Sequence, residues 1–218
     1  ILYIQPVNHI TTGRTMTARR MADLLAICRA EHIPVIENDI LRDVTSFEPP
    51  PPLRAEESDL VITLGAPGVF SQIGIKCSWL IVPEKLRYKM AEIKMHMCGA
   101  NHTIEIAAYE MFKDGYYSDI VTRTRSVCAS RNNLINEALR EHLGAYATWV
   151  DNESVYRLIT FNENVCMSEE AFRHIDIFSY INIFSLQQHV VLDLISNTVE
   201  EIIARIIFIK KNIKLDTN

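Results

Sequence analysis

Short apolar runs alternate along this chain with longer stretches whose apolar residues recur every three or four positions. The opening run, residues 1–5 (ILYIQ), predicts a buried strand. A loop containing Thr and Gly follows at 8–17. Then Met21, Leu24, Leu25 and Cys28 fall at i, i+3, i+4 and i+7, the single stripe of an amphipathic helix, with Thr17 placed to cap its start. IPVIE (33–37) predicts a second strand. Strand, helix and strand in this order form a βαβ unit, which implies parallel pairing and a right-handed crossover. The pattern lapses over 38–58, where the run Pro49–Pro52 supports neither a helix nor a central strand. That run reads as a stiff surface loop.

Two more strands, at 60–64 and 76–82, flank a glycine-containing turn. Pro83 then opens a helix with Leu86, Met90, Ile93 and Met97 on one face, which predicts a buried stripe. Further helices are expected over 103–113 and 117–143, the second closed by Gly144. After it the period changes. Residues 145–150, 156–161, 176–180 and 189–194 read as strands. A last helix, 198–210, carries Val199, Ile202, Ile203, Ile206 and Ile207 on one side. The chain therefore divides into an α/β part, 1–120, and a small α+β part, 121–218, with the boundary inside the long helix.

Composition narrows the function classes. With 218 residues, 48% of them hydrophobic and 22% charged, an ordinary core is expected. The net charge of −5 argues against this portion forming a nucleic-acid-binding surface by itself. Five cysteines without a C-x-x-C pair read as reduced core thiols, and His96, His174 and His189 lack metal-ligand spacing. No segment has the length and apolarity of a membrane span, no leader is visible, and a cytoplasmic location is expected. No Ser-His-Asp order, P-loop or dinucleotide fingerprint is present, and no catalytic residue is assigned. Arg14, Arg19 and Arg20 read as a solvated helix face. Because a domain rarely opens on a core strand, residues upstream of Ile1 are expected.

Four stretches in order carry a resemblance. They are YIQPVNHITTGRTMTARRMADLLAICRAEHIPVIENDI (3–40), LVITLGAPGVFSQIGIKCSWLIVP (60–83), RTRSVCASRNNLINEAL (123–139) and VVLDLISNTVEEIIARI near the C-terminus. Pro6, Thr12, Gly13, Met16, Arg20, Leu24, Leu25 and Glu37 match the first family pattern; Gly65, Gly74, Trp79 and Pro83 match the second. Together they resemble the aminotransferase-like domain of MocR-type transcriptional regulators, a branch of the GntR family. The resemblance implies the fold of the fold-type I transferases that use pyridoxal phosphate (PLP). The chain would hold the later part of the large domain, a mostly parallel sheet with helices, followed by a small α+β C-terminal domain.

It also implies where a cofactor would be held, and those places have changed. The aspartate that pairs with the PLP ring nitrogen falls on Asn38, which hydrogen-bonds but does not keep that nitrogen protonated. A one-residue slip would bring up Asp39, but strand alternation turns it to the other side. The tyrosine for the phenolic oxygen falls on Ile40, and the Schiff-base lysine on Val69, which has no amine. The phosphate arginine becomes Lys76, keeping charge without the bidentate fork. The substrate-carboxylate arginine falls on Val191. Asn8 and His9 are candidate ligand contacts at the pocket mouth. These changes predict no resident cofactor, with PLP at most weakly and non-covalently bound. The expected role is a non-catalytic effector-binding and dimerisation domain. A homodimer and a small-molecule effector are expected partners, and DNA only through an upstream winged-helix domain. The alternatives are a working PLP aminotransferase, or a freestanding protein with a scaffolding or binding role.

Overall fold

The computed structural model describes residues 1–67, 77–97, 101–150, 154–167, 179–181, 188–193 and 199–215, and elements are numbered within that set. Two compact units divide the chain: residues 1–8 with 14–125, and residues 9–13 with 126–218.

The first unit is built on a four-stranded sheet in the order β1 (Leu2–Ile4), β2 (Val35–Asn38), β3 (Val61–Gly65), β4 (Trp79–Ile81). The first three strands are parallel, with Tyr3 opposite Ile36 and Ile36 opposite Ile62; β4 runs antiparallel to β3, with Leu80 opposite Leu64. The crossover from β1 to β2 is α1 (Ala18–Ala30). Its start is fixed by Thr17, whose hydroxyl accepts the Arg20 N–H at 3.3 Å and satisfies one of the first-turn donors. Met21, Leu25 and Cys28 are the buried side of the helix and pack with Val7, Val35, Leu53 and Val61.

Strand alternation places Val35 and Glu37 of β2, and Val61 and Thr63 of β3, on one buried side. A buried carboxylate needs partners, and Glu37 has them. It accepts the Leu53 N–H at 2.7 Å and the Thr63 hydroxyl at 3.0 Å. That hold on Leu53 starts a short helix, α2 (Leu53–Glu56), directly after the proline run, where the sequence pattern predicted only irregular chain.

After Pro83, a 3-10 turn at Glu84–Leu86 leads into α3 (Arg87–His96), and α4 (His102–Lys113) is capped by Asn101, which accepts the Thr103 N–H at 3.0 Å. The stripe of Leu86, Met90, Ile93 and Met97 is on α3 or beside it, but it is not buried. No residue of α3 is, and Ile93 and Met97 are 42% and 66% exposed. Periodicity reports that a helix is two-faced, not that something covers its apolar face. Among the described residues that face is covered only in part, with Leu86 and Met90 half-buried.

One 28-residue helix, α5 (Tyr116–Leu143), contains the division between the units, at Arg125 and Ser126. Its first turns are pinned to the loop after β2. The Tyr117 hydroxyl donates to the Asp43 carboxylate, and Arg125 pairs with Glu48.

In the second unit an antiparallel sheet has the order β5 (Ala147–Trp149), β6 (Tyr156–Phe161), β9 (Gln188–Asp193), β8 (Ser179–Ile181). A separate antiparallel pair joins β7 (Val165–Met167) to β10 (Ile213–Leu215). The core takes Ile135, Leu139 and Leu143 from α5, Ile159 and Phe161 from β6, and Ile202, Ile206 and Ile209 from α6 (Val199–Asn212). Gly144 closes α5. A Cβ there would sit 2.6 Å from the Arg140 carbonyl oxygen, so only glycine fits without a shift.

Candidate functional site

The C-terminal ends of β2 and β3 gather the polar groups of the first unit, as expected where parallel strands feed into loops. Asn38 closes β2. Its side-chain amide donates to the Tyr3 hydroxyl oxygen at 2.7 Å, and its carbonyl oxygen accepts the Ile40 N–H at 3.3 Å, a local turn two residues long. Both ends of Asn38 therefore serve the protein's own backbone and β1. Ile40 is half-buried and lines a cavity, with no hydroxyl to offer. Val69 and Lys76 lie outside the described residues. Val191 is placed in β9, opposite Leu158 of β6.

Asn8 is not at a pocket mouth. It is fully buried, in the left-handed region at φ 51°, where asparagine is among the residues best tolerated. Its side chain donates to the Val44 carbonyl at 2.9 Å and its N–H to the Thr15 hydroxyl at 3.0 Å, so its visible work is to hold the loop after β1. His9 lies in the second unit. Its Nδ1 is 3.2 Å from the Thr12 hydroxyl, and its carbonyl accepts the Gly13 N–H at 2.7 Å. Neither residue lines the cavities described next.

Two cavities open within the first unit. The larger, about 950 Å³, is mainly apolar, with Ile40, Leu64, Trp79, Met90, Ile93 and Ala108 in its walls. The smaller, about 450 Å³, is walled by Asp39, Arg42, Arg54, Ala55 and Trp79 among others. Gly65 and Trp79 belong to both. The indole lies directly on the glycine, so closely that a Cβ at Gly65 would fall 2.0 Å from the ring nitrogen.

Charge is concentrated in the smaller cavity. Asp39 and Arg42 form an ion pair, and Arg42 also donates to the Pro50 carbonyl at 2.6 Å. Burial pushes the Asp39 carboxyl up to about 6; Glu37 and Asp43 add to the rise, and Arg42 opposes it. Beside it, the Tyr117 hydroxyl is driven upward by burial and by its bond to Asp43. In the second unit burial raises the Cys128 thiol, with Arg131 opposing, so this cysteine has the character of a core thiol and not of a nucleophile.

Sequence reasoning missed the Asp39–Arg42 pair, because Asp39 entered only as a substitute for Asn38 on the wrong side of the strand. It also missed Arg157. This residue is fully buried on β6 and donates to the Val150 carbonyl and the Asn132 side-chain oxygen, both at 2.8 Å. Nothing in the run YRLITF distinguishes a buried arginine from a solvated one.

PLP asks for an anion at its ring nitrogen, a donor at its phenolic oxygen and a lysine at its aldehyde. The described residues do not fit the first two. Asn38 is neutral and already bonded at both ends, and Ile40 is aliphatic. Among the described residues no group of three or more potential metal ligands comes together, and no helix is long and apolar enough to cross a membrane.

No known family profile matches the chain. Curated proteins do. The uncharacterised HTH-type transcriptional regulator YisV of Bacillus subtilis (strain 168) is 30% identical over 172 residues, which is 77% of this chain and 36% of that protein. YdfD of the same organism, also described as an uncharacterised HTH-type transcriptional regulator, is 31% identical over 152 residues, 68% of this chain and 32% of its own length. The HTH-type transcriptional regulator NorG of Staphylococcus aureus (strain USA300) is 24% identical over 150 residues, covering 68% and 34%. The chain thus spans about a third of the curated relatives it matches. Solved structures share its fold. An archaeal alanine:glyoxylate aminotransferase superposes with a TM-score of 0.82 at 18% identity, over 96% of this chain and 55% of that one. LysN, the alpha-aminoadipate aminotransferase of Thermus thermophilus, gives 0.81 at 17% identity, over 97% and 58%. The fold is that of the PLP aminotransferases, and the homologues are HTH-type regulators. Together they support an aminotransferase-like domain of a transcriptional regulator.

Proposed function

We propose that this chain is the aminotransferase-like domain of an HTH-type regulator of the MocR/GntR kind, and that it binds an effector and pairs subunits instead of carrying out PLP chemistry. The observation that carries the non-catalytic reading is Asn38. It stands where the resemblance implies an acid, and its amide is committed to Tyr3 and to the Ile40 N–H. Ile40 and Val69 stand where a phenol and an amine are implied. These changes fall in two separate motifs, 3–40 and 60–83, which one slipped alignment does not explain.

In this reading DNA is contacted by a helix-turn-helix domain elsewhere in the protein, which fits the net charge of −5 on this chain. The domain works as a homodimer in the cytoplasm. An effector acts by binding one arrangement of the dimer better than another, since a ligand with equal affinity for both shifts nothing.

An absorbance titration of the purified protein with PLP, followed by borohydride reduction and mass analysis, tests the reading. The expected outcome is no internal aldimine band and no lysine adduct. A trapped lysine adduct overturns it and makes a working PLP site the better account.

A further inference from the structure

We propose that the apolar trough formed by β4, α3 and α4 is the seat of another segment of the same polypeptide, one outside residues 1–218. That segment adds a strand to the free edge of β4 and lays apolar side chains over the two helices. This goes beyond the effector-domain reading and does not rest on it, because it assigns a surface whatever the domain binds.

Three observations carry it. The first is an unguarded edge. β4 ends the sheet of the first unit, and among the described residues no strand pairs with its outer side. Trp79, Leu80 and Ile81 are all exposed. Edge strands left to solvent are commonly protected by a charge or a proline, and β4 carries neither.

The second is a pair of helices that bury almost nothing. α3 has no buried residue, and α4 has only Ala108. Helices of ten and twelve residues are marginal in water unless an apolar face is packed. Met90 and Ile93 of α3, Ala108 and Tyr109 of α4, and Trp79 and Leu80 of β4 line one open space of about 950 Å³. Strand and helices that share such a space have the form of a core from which one layer is missing.

The third is the amount of protein that lies elsewhere. The chain spans about a third of its regulator relatives. It superposes almost entirely on two aminotransferase folds while accounting for only 58% and 55% of them. A large part of that fold therefore has no counterpart within residues 1–218.

A second copy of the chain fits this surface less well. A two-fold axis along α3 sets Arg87, Lys89 and Lys94 against their own copies, with only Glu92 on that helix to offset them. A segment tethered to the chain also meets the trough at an effective concentration on the order of millimolar, which a separate molecule does not.

The test uses the full-length protein with a photo-reactive benzophenone side chain at position 109, in the trough. A control carries it at position 88, exposed on α3 and outside the trough. Ordinary and heavy-isotope protein are mixed, allowed to exchange subunits, irradiated and digested, and the cross-linked peptides are read by mass. Position 109 is expected to join a peptide outside residues 1–218, with both halves carrying the same isotope, at least tenfold more often than position 88. If the bulky group disturbs folding by circular dichroism, Tyr109→Cys and Tyr88→Cys decide. Maleimide is then expected to label position 109 at least tenfold more slowly. No cross-link beyond residues 1–218, or equal labelling of the two cysteines, overturns the proposal by showing the trough open. Cross-links of mixed isotope alone overturn it in favour of a second copy. A lysine adduct with PLP would sink the non-catalytic reading and leave this result untouched.

Discussion

Asp39 is costly to the fold as an anion, because burial outweighs the help from Arg42 and the nearby carboxylates Glu37 and Asp43 add to the strain. The sign of the pH effect follows. Its carboxyl is raised in the folded state from 3.8 to about 6, so the folded chain holds this proton more tightly than the unfolded one. The contribution of Asp39 to stability is full below the unfolded value, declines as pH rises through the folded one, and is level above that. A rise of this size corresponds to at most roughly 3 kcal/mol. Wild type is expected to lose stability relative to Asp39→Asn between about pH 4 and pH 6, read from denaturation midpoints across that window. A difference that does not change with pH would remove Asp39 as its source. A second residue-level expectation concerns Gly65. Gly65→Ala drives a methyl into the Trp79 ring, and over-filling of this kind costs about 1–3 kcal/mol. Trp79→Leu in the same chain is expected to recover part of that loss, since it removes the group being struck. Urea denaturation of the single and double variants measures the coupling.

Elements differ in how openly their residues announce them. The stripe on α1 is legible because Met21, Leu25 and Cys28 meet a sheet that really covers them. Removing the cap by Thr17→Ala is expected to cost about 1 kcal/mol, and opening the core by Leu25→Ala about 2–5 kcal/mol, both by chemical denaturation. A larger loss from the cap than from the core would contradict this account. The same stripe logic fails at α3, where Ile93 and Met97 stay exposed beside an open cavity. Local pattern cannot report a covering element. The helix α2 was illegible for a different reason: its first N–H is held by Glu37, sixteen residues earlier. The pairing of β7 with β10 was illegible too, since two three-residue strands far apart in sequence leave almost no periodic signal. At the site, Asn38 closes β2 and Ile40 follows it by two residues, while Asn8 is a buried support of its loop. Asp39 and Arg42 gave no warning, because their partnership depends on a turn that spacing alone does not define.

For the whole molecule, the first unit leaves a broad apolar trough. Trp79, Leu80 and Ile81 of β4, Ile93 of α3, and Ile106, Tyr109 and Phe112 of α4 are all substantially exposed. Patches of this kind mark surfaces that meet something. The native chain is therefore expected to bind an apolar dye such as anilinonaphthalene sulfonate without denaturant, and Ile106→Lys with Tyr109→Lys is expected to cut that signal at least twofold. An unchanged signal would place the dye elsewhere.

The strand orders also bear on how the chain is made. In the first unit each strand pairs with the one just before it in sequence, so the sheet can grow edge by edge as synthesis proceeds at about 5–20 residues per second. In the second unit β6 must wait for β9, and β7 for β10. For seconds on the ribosome β7 has no mate and β6 is paired with β5 on one edge alone, so their open edges are then the parts of the nascent protein most in need of a chaperone.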